Sequence, residues 1–226
     1  INKREVADSH WNVIGVPAYE NAGINFTNKV TTLADVTYYY RWLGERNRYE
    51  TVSGKTQDFN PLHSYMVQYH GDLAWTNIVN EGPGPASLTA KRNTEDTEKH
   101  QLRLELQQNA QEQDRTFIQL QDEEATAHFD FNYDLCKIKN TGANIYSIIS
   151  TENTPIQVAG NVMPIQETII PLGIKTDAAG EYTFAMPDGT DGIVVELIDY
   201  EANTRTNMLL DNYTINLGKG TFDNRF

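Results

Sequence analysis

The segment HFDFNYD, near the middle of the chain, carries oxygen-bearing side chains at a spacing that suits calcium. Asp130, Asn132 and Asp134 occupy alternate positions, as in the opening of an EF-hand calcium loop. That loop also needs glycine at its sixth position and a bidentate glutamate at its twelfth, and this chain has Leu135 and Thr141 there. The EF-hand is therefore excluded, and an irregular calcium site at Asp130 and Asp134 stays as a hypothesis.

A second acidic pair, Asp188 and Asp191, lies in the turn sequence PDGTDG and is the other candidate for calcium. Aspartate is also common in turns because its carboxylate accepts hydrogen bonds from nearby backbone N–H groups. That role is the favoured interpretation of both acidic pairs. We expect Asp130 and Asp134 to orient a turn that follows a short strand, and no cofactor other than calcium is a candidate.

The remaining side chains with reactive groups show no catalytic spacing. The histidines lie at positions 10, 63, 70, 100 and 128, without the clustering of a zinc site, and no serine sits in a G-x-S-x-G elbow. Glycine-rich phosphate loops are absent from the sequence. Cys136 is the single cysteine, and its apolar neighbours indicate a small buried side chain. We therefore expect a protein that is not an enzyme.

Aromatic residues crowd one predicted hairpin over residues 36–52, where Tyr38, Tyr40, Trp42 and Tyr49 are the candidate ligand-binding residues. Exposed aromatic rings stack on sugars or on partner proteins. Aromatic residues also pair across strands and fill cores, which is the favoured interpretation of this hairpin. Burial of these rings would remove the carbohydrate-binding alternative.

The elements that must position these residues are predicted to be β-strands. Apolar residues alternate with polar ones in QLRLELQ, EYTFAM and NYTINL, and Gly, Pro and Asp-Gly turns separate such runs. The segment IVVELIDY is apolar on both faces, so we expect a central, covered strand. The fold prediction is all-β with two β-sandwich domains, jelly-roll or Ig-like, at residues 1–95 and 96–226. A linker rich in Gly, Pro and charge separates them.

Composition narrows the range of partners. The 226-residue chain carries 18 basic and 31 acidic residues, and its net charge of −13 repels phosphate backbones, so nucleic acid is not an expected partner. No apolar run approaches the roughly 20 residues that span a bilayer, so direct membrane insertion is not expected either.

Several segments in consistent order resemble a module of large secreted surface proteins of Bacteroidetes. They include WNVIGVP near the start, DRTFIQLQDEEATAHFDFNYDLCKI in the middle, and GEYTFAM and VELIDYEANTRTNMLLDNYTI towards the end. In those proteins the module precedes a C-terminal sorting domain of the type IX secretion system, and because no such domain is recognisable before Phe226 we expect this chain to be a fragment of a longer protein. The resemblance implies an extracellular or outer-membrane location and a structural spacer or adhesion role. Its implied partners are neighbouring domains, with glycans or cell-surface proteins of a host as further candidates.

Overall fold

The computed structural model describes residues 11–15, 38–53, 64–68, 99–121, 125–130, 133–150, 154–166 and 168–226. Within these ranges the chain is nearly all β, and its one helical element is the 3-10 turn Gly44–Arg46. The strands follow the alternating apolar pattern of the sequence because each pleat turns one face to a core. The described residues form the strands β1 (Trp11–Gly15), β2 (Tyr38–Leu43), β3 (Arg48–Ser53), β4 (Ser64–Gln68), β5 (Lys99–Gln108), β6 (Gln111–Gln121), β7 (Leu135–Cys136), β8 (Asn144–Ile149), β9 (Ile156–Pro164), β10 (Leu172–Thr176), β11 (Gly180–Ala185), β12 (Glu196–Asp199), β13 (Thr204–Asn207), β14 (Tyr213–Leu217) and β15 (Gly220–Phe222).

The larger sheet has nine strands in the order β14-β11-β5-β6-β9-β8-β10-β15, with β7 also paired to β9. Adjacent strands of this sheet run antiparallel, except that β6 and β9 run parallel. Residues from distant strands share one core cluster, as Leu104 of β5, Ile174 of β10 and Phe184 of β11 do. The sheet is therefore curled, and its concave face encloses this core.

The smaller sheet has four strands in the order β1-β4-β2-β3 and packs on the outer face of β6 and β9. Tyr38 stacks on Phe117, with ring centroids 5.5 Å apart, and both are buried. Tyr38 also fills the space that Gly160 leaves open, because a Cβ added there would lie 2.1 Å from the tyrosine ring. The two sheets therefore pack closely, because the aromatic rings stack and Gly160 has no side chain to keep Tyr38 away.

Charged residues complete the contact between the two sheets. Arg48 donates to the Gln113 carbonyl and pairs with Glu112 at 3.0 Å. Arg115 bridges Glu112 and Glu50, and its Nη2 lies 2.9 Å from the Glu50 carboxylate. The four side chains are at most 15% exposed, so each buried charge has an opposite charge beside it.

Several sequence predictions are confirmed. The alternating leucines of QLRLELQ form β5, the aromatic segment forms the β2–β3 hairpin, and EYTFAM and NYTINL form β11 and β14. The all-β class follows from the same elements. The prediction for IVVELIDY was wrong: only Glu196–Asp199 is a strand, and it pairs with β13 in a separate two-stranded ribbon. Both edges of β11 are already paired, one with β5 and the other with β14, so IVVELIDY has no free edge there.

The segment at 128–134 is not a strand where it is described. Residues 128–130 and 133–134 are extended or turn structure without ladder pairing, and Tyr133 packs against the aromatic cluster between the sheets. The predicted domain boundary at residues 95 and 96 lies outside the described residues, as does most of the predicted linker. Strands from both sides of that boundary contribute to the cluster that contains Tyr38 and Phe117.

Candidate functional site

An apolar pocket opens between the concave face of the larger sheet and the β12–β13 ribbon. Its volume is about 500 Å³, within the range of small-molecule sites. Leu104, Ile118 and Leu172 line its floor and belong to the main core cluster. The pocket thus reaches from the surface into the core, and the described residues of its floor carry aliphatic side chains.

The mouth of the pocket combines exposed aliphatic and polar side chains. Ile169, Val194 and Tyr200 line the mouth with 69%, 77% and 56% of their surface exposed. Gln166 and Glu196 add exposed polar groups to this rim, whereas the described residues that line the deeper part are apolar. Large exposed apolar side chains grouped around a cavity mark a binding surface better than isolated ones do.

Asp199, at the end of β12, holds the wall of the pocket in place. Its carboxylate accepts hydrogen bonds from Arg225 at 2.9–3.1 Å, from the Tyr213 hydroxyl at 2.8 Å and from the N–H groups of residues 201 and 202. The neighbouring Phe226 lines the pocket and packs on Phe184, with ring centroids 4.9 Å apart. Burial opposes ionisation of Asp199, but the Arg225 guanidinium and the other donors outweigh it and lower the pKa of this carboxyl.

The structure separates the four predicted aromatic binding residues into two groups. Tyr38 and Tyr40 are buried in the contact between the sheets, so their rings have no open face. Trp42 is 42% exposed and meets the half-exposed Tyr49 edge to face at 4.9 Å. Only the Trp42–Tyr49 pair is therefore placed to touch a ligand, and its ligand binding stays a prediction.

Asp134 accepts backbone hydrogen bonds, and this part of the prediction is confirmed. One carboxylate oxygen accepts from the Val162 N–H and the other from the Asp130 N–H, both at 2.8 Å. The Asp130 carbonyl accepts in turn from the N–H groups of Tyr133 and Asp134. Asp134 thus fastens the turn to β9. Burial raises the pKa of Asp134 to about 7, although the Val162 and Asp130 donors favour the charged form.

The raised pKa of Asp134 predicts a pH effect on stability. The unfolded-state pKa is near 3.9, so between about pH 4 and 7 the folded state binds more protons than the unfolded state. The stability contribution is fully present below pH 4 and is lost as pH rises through 7. Asp134→Asn removes the titration and keeps an oxygen that can accept from Val162, so its free energy of unfolding should fall less between pH 4 and 7. Urea titrations across this range measure the difference.

An exposed residue provides the control for this pH effect. Asp211→Asn changes the same group where it is exposed, and should leave the wild-type pH profile unchanged. A parallel profile for wild type and Asp134→Asn would show that Asp134 titrates with its ordinary pKa.

The second acidic pair faces basic and polar groups of β5. Asp188 pairs with Arg103 at 3.0 Å, and Asp191 accepts from the Gln101 N–H at 3.1 Å and lies 3.5 Å from His100. Asp191 has a positive φ of 52°, a conformation that aspartate tolerates in turns. Within the described ranges, no three His, Cys, Asp or Glu side chains are grouped as metal ligands would be. Calcium binding at either acidic pair stays a prediction.

Sequence reasoning missed the pocket, because its lining comes from segments far apart in the chain. It also missed the role of Asp199, whose partner Arg225 is 26 residues away. The Cys136 thiol is half-buried and accepts a hydrogen bond from Gln68 at 3.3 Å. Burial raises the pKa of this thiol, which disfavours the nucleophilic thiolate.

Comparison with known proteins gives a family but no function. The family model described as "Domain of unknown function (DUF8693)" matches residues 87–226, more than half of the chain. The chain belongs to the DUF8693 family. The DUF8693 region contains β5 to β15, and therefore the whole curled sheet and the pocket. Neither the curated proteins nor the solved structures include a match. Among the residues that the structure describes, no helix could span a membrane.

Proposed function

We propose that the chain is a non-catalytic binding module of a larger extracellular or cell-surface protein, and that its pocket holds the aliphatic chain of a small amphipathic molecule. The observation that carries this proposal is that apolar and polar side chains occupy different parts of the pocket. The floor is aliphatic and buried, whereas the polar side chains lie at the exposed mouth. An alkyl tail would gain about 0.8 kcal/mol for each CH₂ group that it buries.

The charges at the mouth indicate the head group of such a ligand. Glu196 lies at the mouth and pairs with Arg205 at 3.2 Å, so the charge of this described pair is balanced and does not favour an anionic head. An uncharged head that hydrogen-bonds with Gln166 or Tyr200 fits this mouth. A long-chain alcohol or a monoacylglycerol is therefore expected to bind more tightly than a fatty acid of the same length.

Val194→Asp should weaken binding of an alkyl ligand at least tenfold, because it places a charge where the tail enters. Val194 is exposed, so the folded structure should tolerate the change. Displacement of a fluorescent alkyl probe by 1-dodecanol, below its solubility limit, measures the affinity. Val13→Asp is the matched control, since Val13 is also exposed and does not line the pocket. Equal affinities for both variants, or no displacement from wild type, would contradict the proposal.

A second binding role, for glycans, rests on the exposed ring of Trp42. This ring and Tyr49 lie at the end of the β2–β3 hairpin, remote in sequence from the pocket. Stacking of a sugar ring on Trp42 would contribute on the order of 1 kcal/mol or more, so Trp42→Ala should remove signals on a glycan array. Glycan signals that survive Trp42→Ala would refute this role. Tyr38 and Tyr40 are buried and are not part of this proposed surface.

The finer architecture and the location belong to the same proposal. Two sandwich units fit the stacking of the four-stranded sheet on β6 and β9 and the curled sheet around its own core. The resemblance to Bacteroidetes surface modules supports a role as spacer or adhesion region beside neighbouring domains, after export by type IX secretion. Protease treatment of intact cells tests the location: an exposed module would be degraded, and a protected one would contradict it.

A further inference from the structure

Lys137 and Asp114 form a buried ion pair that the proposed function does not use. Their side chains are 0% and 3% exposed, and the Lys137 Nζ donates to Oδ2 of Asp114. Asp114 lies in β6, and Lys137 directly follows β7. A lysine and an aspartate in contact and shielded from water are the two reactants of an amide bond.

The surrounding backbone holds Lys137 firmly in this position. The Tyr40 hydroxyl donates to the Cys136 carbonyl at 3.0 Å and accepts from the Ile138 N–H at 2.9 Å, so it clamps both neighbours of Lys137. The Lys137 N–H itself donates to the Gln157 carbonyl at 2.8 Å. Three successive residues are therefore fixed, and the lysine side chain has little freedom to leave its partner.

Asp114 is held from the opposite side. The Ile145 N–H of β8 donates to Oδ2 of Asp114 at 2.8 Å. This donor is placed to stabilise negative charge on that oxygen when a nucleophile adds to the carboxyl carbon. Reactive groups held in contact behave as if at very high concentration, on the order of 10⁵ M or more in favourable cases.

The surroundings also favour the uncharged forms of both groups. Burial lowers the pKa of the Lys137 ammonium, and the nearby Arg48 charge acts in the same direction, although Asp114 opposes both. Burial raises the pKa of the Asp114 carboxyl against the effect of Lys137 and the backbone donors. Proton transfer within the pair gives a neutral amine, the nucleophilic form of lysine, and a neutral carboxylic acid.

We propose that Lys137 and Asp114 condense to an intramolecular amide that cross-links β6 to the segment after β7. The Lys137 Nζ bonds to the Asp114 Cγ, the Cγ–Oδ1 bond breaks, and Oδ1 leaves as water. Nitrogen loses two protons in total, and both leave with that water, so no oxidant, reductant or other reactant is needed. Oδ2 stays as the amide carbonyl oxygen and keeps the Ile145 N–H as its donor.

The cross-link has a physical benefit within the fold. It replaces two buried charges by one neutral amide, which removes the desolvation cost of both ions. It also closes the chain between residues 114 and 137, a loop that contains the turn fastened by Asp134. A covalent loop constrains the unfolded chain as a disulfide does. This inference is independent of what the pocket binds.

Intact-mass measurement of the folded, full-length chain tests the cross-link directly. The wild type should be lighter than its sequence mass by one water molecule. Trypsin should no longer cleave after Lys137, and fragmentation should identify one branched peptide that joins Asp114 to Lys137. A wild-type protein of full sequence mass would overturn the proposal without the need for any variant.

Three variants locate the bond. Lys137→Arg keeps the charge and Asp114→Ala removes the acceptor, and both should have the full mass. Lys139→Arg changes an exposed lysine two residues away and should keep the loss of water. Succinimide formation at Asp188–Gly189 or Asp191–Gly192 would also remove one water molecule, but mild alkali hydrolyses the succinimide and restores the full mass. A mass deficit that maps to those peptides, or that survives in Lys137→Arg, would overturn the proposal.

Discussion

Gly160→Ala is expected to destabilise the protein by about 3 kcal/mol, the upper end of the usual range for an overpacked core. The new methyl group would lie 2.1 Å from Cδ2 and 2.5 Å from Cγ of Tyr38. The tyrosine cannot move aside easily, because it is 2% exposed and stacked on Phe117. Thermal unfolding should show a midpoint lower by roughly 10 °C for a chain of this size.

A second glycine and a double variant separate this clash from general effects of alanine. Gly218→Ala should be nearly neutral, because no atom lies within 4 Å of the added Cβ. In a Tyr38→Ala background the ring is gone, so Gly160→Ala should cost far less than in the wild type. An equal cost in both backgrounds would mean that the tyrosine ring does not fill the space above Gly160.

Asp199→Ala is expected to cost about 3–5 kcal/mol, the loss typical of breaking a buried ion pair from one side. The variant leaves Arg225, whose side chain is 14% exposed, without its bidentate partner, and the Glu201 carboxylate that stays 2.6 Å from its Nη1 is largely exposed to solvent. It also leaves the Tyr213 hydroxyl and two backbone N–H groups without their acceptor. Denaturant titration measures the loss, and Asp211→Ala, at an exposed position in the turn before β14, is the control.

The pH dependence of Asp199 has the opposite sign to that of Asp134. The folded-state pKa of Asp199 is lowered, so its contribution is present above the unfolded-state pKa near 3.9 and is lost as pH falls below it. The difference in stability between wild type and Asp199→Ala should therefore narrow in acid. A constant difference from pH 6 down to pH 2 would show that the carboxylate charge does not matter.

Asp199 also connects stability to the pocket. Its partner Arg225 precedes Phe226, which lines the pocket and packs on Phe184. The backbone carbonyls of Arg225 and Phe226 also accept from the N–H groups of Tyr200 and Leu172, both at 2.9 Å. Loss of the Asp199–Arg225 pair removes the side-chain contribution to holding this C-terminal wall, so alkyl binding should weaken in Asp199→Ala even where the protein is folded. An unchanged affinity of Asp199→Ala for the alkyl ligand would show that packing alone holds the Phe226 wall in place.

The sequence by itself determined those strands that can be predicted from the pattern of neighbouring residues. The alternating leucines of β5 and the aromatic run of β2 predict strands because a pleat sorts neighbouring side chains to opposite faces. The same reasoning assigned Asp134 to a turn, since a carboxylate beside free N–H groups accepts from them. These features depend on residues a few positions apart, so a single sequence is enough to predict them.

Only the tertiary structure decided which surfaces meet. IVVELIDY is as apolar as a central strand, yet β5 and β14 occupy both edges of β11, and the apolar side chains of that segment line a pocket instead. Tyr38 and Trp42 are both aromatic residues of β2, and the sequence does not distinguish them. Tyr38 is buried and Trp42 is exposed, because the larger sheet covers Tyr38 and does not cover Trp42. The Lys137–Asp114 and Arg225–Asp199 pairs join positions 23 and 26 residues apart. Such contacts depend on sheet order and curvature, which alternation along one strand does not specify.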